Sequence, residues 1–194
     1  MSFNNEEVSA LVEQHKEILK KVLGDGFKQF TNEEGKILFG GKRWVMLDVS
    51  IFPALLVKTT SEIVGPMADQ FIHWFGYKYG EEVVHRYEKL GVPKEQILPI
   101  LLAFAAVVAG WSVDKIEEID YGKPYMRIRV YNDFEMESAE AIGADSSLKF
   151  SSGVVAGIFD TITGIKTKIG VTRNPDGSIT VEFTKRDKTA NIKV

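Results

Sequence analysis

Residues 97–109 read ILPILLAFAAVVA, thirteen positions in succession without a charged or polar side chain. A helix that spans a bilayer needs about 20 apolar residues, so this run is too short to cross one. A helix that is apolar almost all round cannot lie on a wet surface either. The run therefore predicts a helix over 93–109, with Pro99 inside it, buried in the middle of a fold that must wrap it on every side. A chain of 194 residues can do this, since a domain of that size buries on the order of 70% of the surface its unfolded form exposes. Its hydrophobic fraction of 44% and charged fraction of 26% are those of an average globular protein, so neither disorder nor a fibrous architecture is indicated.

The segments before this run carry helical periodicity. Over 4–23 the residues Val8, Leu11, Val12, His15, Ile18, Leu19 and Val22 fall on one stripe, and Gly24 and Gly26 stop the helix. Two short extended runs, 36–39 and 43–48, flank Gly40 and Gly41 and predict a tight hairpin. Ser50 is placed to cap a helix over 50–64 with Pro53 in its first turn, and Gly65-Pro66 ends it. A longer helix follows over 66–90, closed by Gly91-Val92-Pro93.

After Gly110 the period changes from 3.6 to 2. Strands are predicted over 111–120 and 125–131, the second with Met126, Ile128 and Val130 on one face and Arg127 and Arg129 on the other. The polar stretch that follows is expected to hold a short helix over 135–142. Ser151 or Ser152 should cap a helix running to Thr163, ended by Gly164. Two further strands, 165–172 and 178–184, are joined by Asn174-Pro175-Asp176-Gly177, a turn sequence with glycine in the left-handed position. Helices first and an antiparallel sheet after them is an α+β arrangement, not the βαβ alternation of a doubly wound fold. With no linker or repeat, the reading is one domain over 1–194: an N-terminal helix over 1–24, a core over 36–184 and a polar tail over 185–194.

A net charge of −3 and scattered basic residues give no track for phosphates, so nucleic acid is not expected as a partner. No cysteine is present, which removes disulfides, thiolate metal sites and cysteine nucleophiles together. The polar and acidic N-terminus has no signal-peptide pattern, and a cytoplasmic location is expected. The three histidines, His15, His73 and His85, show no metal-binding spacing. His73, with Asp69 and Tyr77 four residues to either side, is expected to sit partly within an aromatic helix face, and His15 and His85 at the surface. The adjacent acidic pairs Glu33-Glu34, Glu81-Glu82 and Glu117-Glu118 point in different directions and read as solvated surface. No GxSxG, GxxxxGK[ST] or GxGxxG occurs, so no catalytic residue, metal or cofactor is assigned. What remains is a supply of bulky apolar groups, among them Phe134 and Trp111, which either fill a core or line a cavity for an apolar molecule.

Three stretches carry a family likeness: GGKRWVMLDVSIFPALLVKTTSEIVGP from Gly40, FGYKYGEE from Phe75, and SSGVVAGIFDTITG from Ser151. In their order and spacing the chain, from about 40 to 183, resembles the 4-vinyl reductase domain family. Gly153, Ala156 and Gly157 leave one face of the last helix almost without side chains, and the glycines flanking Tyr77 and Tyr79 similarly admit a close neighbour. The resemblance implies the fold of the ligand-binding domains in nitric-oxide signalling and Golgi transport, often homodimeric, with an internal cavity for small, hydrocarbon-like molecules. Relatives occur in transcription regulators and in bacteriochlorophyll biosynthesis. Many carry cysteines in the last hairpin and a cysteine or histidine before the Ser-Gly helix; here those positions read KTKIGVTRNPDGSITVEF and SLKFSS.

The leading expectation is a non-catalytic binding module, a carrier, sensor or subunit, that encloses a small apolar molecule between the helices of 52–109 and the sheet. Phe52, Phe71, Trp74, Phe75, Phe104 and Phe159 are the expected pocket lining, and a homodimer the expected assembly. The alternatives are a reductase acting on a vinyl-bearing cyclic substrate, and a dimeric assembly protein whose interior is filled, with no cavity beyond roughly 100 Å³.

Overall fold

The computed structural model describes residues 5–24, 31–33, 36–39, 42–45, 47–50, 52–144 and 148–186. Helix α1 (Asn5–Leu23) presents Leu11 and Leu19 inward. Three short strands, β1 (Thr31–Glu33), β2 (Lys36–Phe39) and β3 (Lys42–Trp44), form a small antiparallel sheet, one strand more than the sequence suggests. Gly40 and Gly41, the expected turn, lie outside the described residues.

Helix α2 (Ala54–Val64) begins later than expected. Ser50 does not cap it; both its amide and its hydroxyl donate to Asp48, and the first helical amide, that of Ala54, donates to the Ser138 hydroxyl at 3.0 Å. One 3-10 turn, Gly65–Met67, leads into α3 (Ala68–Lys89). The apolar run forms α4 (Lys94–Phe104), and its last five residues widen into a π-helical turn, Ala105–Ala109, which Gly110 ends in the left-handed conformation.

Strands β4 (Val113–Asp120) and β5 (Tyr125–Tyr131), helices α5 (Phe134–Ala141) and α6 (Lys149–Thr163), and strands β6 (Thr167–Arg173) and β7 (Ile179–Lys185) complete the order. The larger sheet is antiparallel throughout, in the order β4-β5-β7-β6. Alternation decides its two faces, as the sequence indicates. Met126, Ile128 and Val130 pack with Ile179, Val181 and Phe183 against α4 and α6, while Arg127 opposes Glu182 on the other face and pairs with it at 2.8 Å. The β6–β7 hairpin turns at Gly177, whose φ of 88° suits glycine.

Helix α6 starts before either serine proposed to cap it. Its first amides are held from another element: the Glu135 carboxylate, at the start of α5, accepts from the amides of Phe150 at 3.0 Å and Ser151 at 2.5 Å. A carboxylate at a helix N-terminus satisfies amides that have no intrahelical partner and complements the helix dipole. Asp133 caps α5 in turn, accepting from the amides of Glu135 and Met136, and its second oxygen accepts from the Ser151 hydroxyl at 3.1 Å.

Helices α3 and α6 meet backbone to backbone. A Cβ built on Gly76 would stand 2.4 Å from the Phe150 carbonyl oxygen, and one on Gly80 2.1 Å from that of Val154. Reciprocally, a Cβ on Gly153 would meet the His73 carbonyl oxygen at 2.3 Å and one on Gly157 that of Tyr77 at 2.1 Å. The small-residue faces read from the sequence are thus the two halves of one contact. Among the described residues, no helix is long and apolar enough to cross a membrane.

Candidate functional site

The apolar run does not fill its surroundings. Between α3, α4 with its π-helical turn, β4 and α6 lies a cavity of about 400 Å³. Leu101, Leu102 and Phe104 come from α4, Tyr79, Val83 and Tyr87 from α3, and Val154, Val155 and Ile158 from α6. Trp111 stands between the π-helical turn and β4 and stacks against Phe134 at 5.8 Å, while Trp44 of β3 covers Phe104 at 5.1 Å. Val22 of α1, Arg86 and the exposed Leu90 form the outer part of the wall.

The walls are apolar and the inner end is not. Ser112, Asp114 and Ser151 line it. Asp114 is in phase with Ile116 along β4, on the core-facing side, because alternate residues of a strand share a face. Its side chain retains 5% exposure for the whole residue, and one oxygen accepts from the Ser112 hydroxyl at 3.0 Å. Burial raises its pKa from 3.8 to about 7, against the pull of the Ser112 hydroxyl. Among the described residues no cationic side chain pairs with it. Asp133 is raised to about 8, with burial again the leading cause, Glu135 the next and Asp114 after it.

His15 is buried, not at the surface where the sequence reading placed it. From α1 its Nε2 donates to the Asp114 carbonyl oxygen at 2.8 Å, which fixes the tautomer because a carbonyl only accepts. Its Nδ1 is buried without a hydrogen-bond partner among the described residues, and burial lowers its pKa, so the ring is neutral. The row of α1 that buries Leu11 and Leu19 carries it inward, as its place on the stripe requires. His85 is exposed and meets Glu88 at 3.3 Å. His73 is half-buried, as expected, but its Nδ1 lies 3.3 Å from the Lys149 carbonyl oxygen, and Asp69 pairs with the Lys149 ammonium at 3.3 Å. Among the described residues, no three histidines, aspartates or glutamates are grouped to hold a metal ion. Ser112 donates directly to a carboxyl with no imidazole between them, so the pair lacks the base relay that activates a serine nucleophile.

Of the six aromatic side chains named from the sequence, Phe104 lines this cavity. Phe159 is fully buried elsewhere, 6.4 Å from Phe183 across the sheet core, and Phe52 packs on the margin of the same core. Phe71, Trp74 and Phe75 are 58%, 54% and 54% exposed. Phe71 and Trp74 lie on the side of α3 away from Ile72, Gly76 and Gly80, because α6 takes the glycine face, while the half-open Phe75 rests its ring against Phe150 of α6 at 5.9 Å. Sequence reasoning missed Trp44, Tyr79, Tyr87 and the polar end. Only Asp114 left a signal, a carboxylate in register with the apolar positions of a strand.

No protein-family model matches the sequence, and no curated protein matches it. Solved structures do. The phenol-responsive sensory domain of the transcription activator PoxR, solved with phenol, superposes with a TM-score of 0.67 at 13% identity, covering 86% of this chain and 90% of that one. An H-NOX protein mutant from K. algicida gives 0.49 at 13% identity over 92% and 97% of the two chains. A trafficking protein particle complex subunit 3 from Naegleria fowleri, covalently bound to palmitic acid, gives 0.40 at 12% identity over 69% and 95%. The chain therefore has the α+β fold of the PoxR sensory domain, with its helices packed on a four-stranded antiparallel sheet.

Proposed function

We propose that this chain is a non-catalytic binding module that encloses one small, largely apolar molecule, acting as a carrier, a sensor or a subunit. The cavity of about 400 Å³ carries this reading. Ligand sites are concave, mostly apolar, of roughly 300–1,000 Å³, with a few polar groups to orient the guest. An engineered apolar cavity of about 150 Å³ already takes benzene, so a molecule of one or two rings fits here. The alternative of a filled interior is disfavoured by the same volume. The fold shared with a phenol-responsive domain supports the reading, and the order of the three sequence stretches supports membership of the 4-vinyl reductase family.

Two of the three tryptophans, Trp44 and Trp111, line the cavity. Titration with propylbenzene should therefore change tryptophan emission saturably, and a concentration of 100 Kd should stabilise the fold by about 2.7 kcal/mol. Ala105→Phe, which places a ring in the cavity from the π-helical turn, should abolish the change. Binding by neither propylbenzene nor any molecule extracted from the natively produced protein would sink the reading.

The outer stripe of α2 and α3 is the proposed homodimer face. Ile63, Met67, Phe71, Trp74 and Phe75 are all exposed there, and contiguous apolar patches on that scale mark interaction sites. Trp74→Glu with Phe71→Glu should turn a dimer into a monomer in sedimentation equilibrium, with a melting temperature that no longer rises with protein concentration. A wild-type chain that sediments as a monomer at about 100 μM, a concentration at which even weak specific dimers form, would refute the dimer.

A further inference from the structure

Three carboxyls are buried beside the cavity, and two of them have their own arrangement. Glu135 is met by the first amides of α6, and Asp133 by the first amides of α5 and the Ser151 hydroxyl. Asp114 has neither. Among the described residues its carboxyl receives one donor, the Ser112 hydroxyl, and it is the member of the three that lines the cavity. A buried charge without a partner is strongly unfavourable, and the favourable solutions are a counter-charge or protonation. The chamber Asp114 faces is walled by π-systems, Trp111, Trp44, Tyr79 and Tyr87, whose faces attract cations.

We infer that Asp114 is the recognition residue for a ligand cation: the cavity takes a protonated amine on an apolar body, its ammonium seated between the Asp114 carboxylate, the hydroxyls of Ser112 and Ser151, and the aromatic walls. This rests on the cavity being a ligand site and specifies what occupies it. A carboxylate or phosphate head is disfavoured at the inner end, because the Asp114 carboxylate would face it. A neutral hydroxyl gains one hydrogen bond there, whereas an ammonium gains hydrogen bonds and the charge together in a medium where charge interactions are strong.

The groups facing Asp114 permit this. From α1, His15 is neutral and engaged with the backbone carbonyl of residue 114. From α3, Tyr79 and Tyr87 have pKa values raised by burial and stay neutral, and the Arg86 guanidinium at the outer wall pairs with Glu82 at 3.2 Å. From α6 comes the uncharged Ser151, and from the start of α5 the buried Asp133. Because Asp114 itself is raised to about 7, recognition of a cation is stronger above neutrality than below it.

Four probes that share a phenylalkyl body test the assignment on the full chain by calorimetry at pH 8.5: phenethylamine, phenethyl alcohol, propylbenzene and phenylpropionate. The amine should bind about tenfold or more tighter than the alcohol, as expected for a charge-assisted over a neutral hydrogen bond, and phenylpropionate should bind weakest. D114N should erase the amine's advantage over propylbenzene, read as the ratio of the two affinities, since it removes the charge and keeps the shape. If that variant does not fold, the wild type still decides: the ratio of amine to propylbenzene affinity should fall about tenfold between pH 8.5 and pH 5.5 as Asp114 protonates. An amine that binds no better than the alcohol, or a ratio indifferent to pH, overturns the inference while leaving the cavity a ligand site. Failure of all four probes overturns both.

Discussion

Gly80→Ala is expected to lower the melting temperature by about 10 °C, and Gly157→Ala to do the same. A destabilisation above ~3 kcal/mol, at the upper end for an added methyl group, converts to a shift of that size for a chain of this length. The reason is what the methyl meets. At either site the obstacle is a backbone carbonyl of the facing helix, 2.1 Å away, and not the end of a side chain that can rotate aside. The two helices must separate, and α3 and α6 between them carry a large part of the core, including Tyr77, Val84, Val154, Ile158 and Phe159. Gly170→Ala is the control. Among the described residues nothing lies within 4 Å of a Cβ there, its φ is ordinary, and it sits in a strand, where alanine is equal to or better than glycine by up to about 1 kcal/mol. Thermal unfolding of the three variants separates the outcomes. Equal melting temperatures for all three would mean that the helices do not touch at their backbones.

The second large effect concerns pH. Asp133 and Asp114 have folded-state pKa values of about 8 and about 7, raised by burial from an ordinary value of 3.8. Between these limits the folded chain holds protons that the unfolded chain has released, so unfolding loses ground at low pH and gains it as pH rises. Each such group removes up to about 1.4 kcal/mol of stability per pH unit, beginning above pH 4 and ending at its folded pKa. His15 and His73 act oppositely. Burial lowers their pKa values, so they favour folding as pH rises, but only up to about pH 6.5, the ordinary histidine value. The urea midpoint should therefore fall between pH 6.5 and pH 8. Asp133→Asn should flatten that fall, since its oxygen still accepts from the two amides that begin α5 and its amide can donate to Ser151. At pH 8 the variant should exceed the wild type by on the order of 2 kcal/mol. A wild-type midpoint that is level or rises over this window would show that neither carboxyl is protonated in the fold.

Much of the architecture is legible from period and punctuation. The span of α1, the inward face of β5, the β6–β7 hairpin and the small-residue faces of α3 and α6 follow from local patterns with direct physical causes. Helix beginnings are less legible. Ser50 and Ser151 are good caps locally, yet α2 starts from a hydroxyl 84 residues away and α6 from a carboxylate 15 residues away. The cavity is illegible for a related reason. An aromatic residue on α3 is apolar whichever way it points, and which side of α3 faces inward is decided by where α6 docks. The glycines specify that docking, so Phe71 and Trp74 are assignable to the outer side from the placement of Gly76 and Gly80 alone. Asp114 was legible in the same indirect way, as a charge in phase with apolar neighbours in β4.

The glycine contact has one more consequence, mechanical in kind. Helices usually meet through side chains, and rotamer changes let one helix move while its neighbour stays. Between α3 and α6 that slack is missing, so the two behave as a single beam. One flank of the beam is the cavity wall, with Tyr79, Val83 and Tyr87 from one helix and Val154, Val155 and Ile158 from the other. Phe71 and Phe75, at four-residue steps before Tyr79, continue the same row of α3 out to the exposed surface. A guest that presses on this wall therefore bears on both helices at once, not on one of them alone.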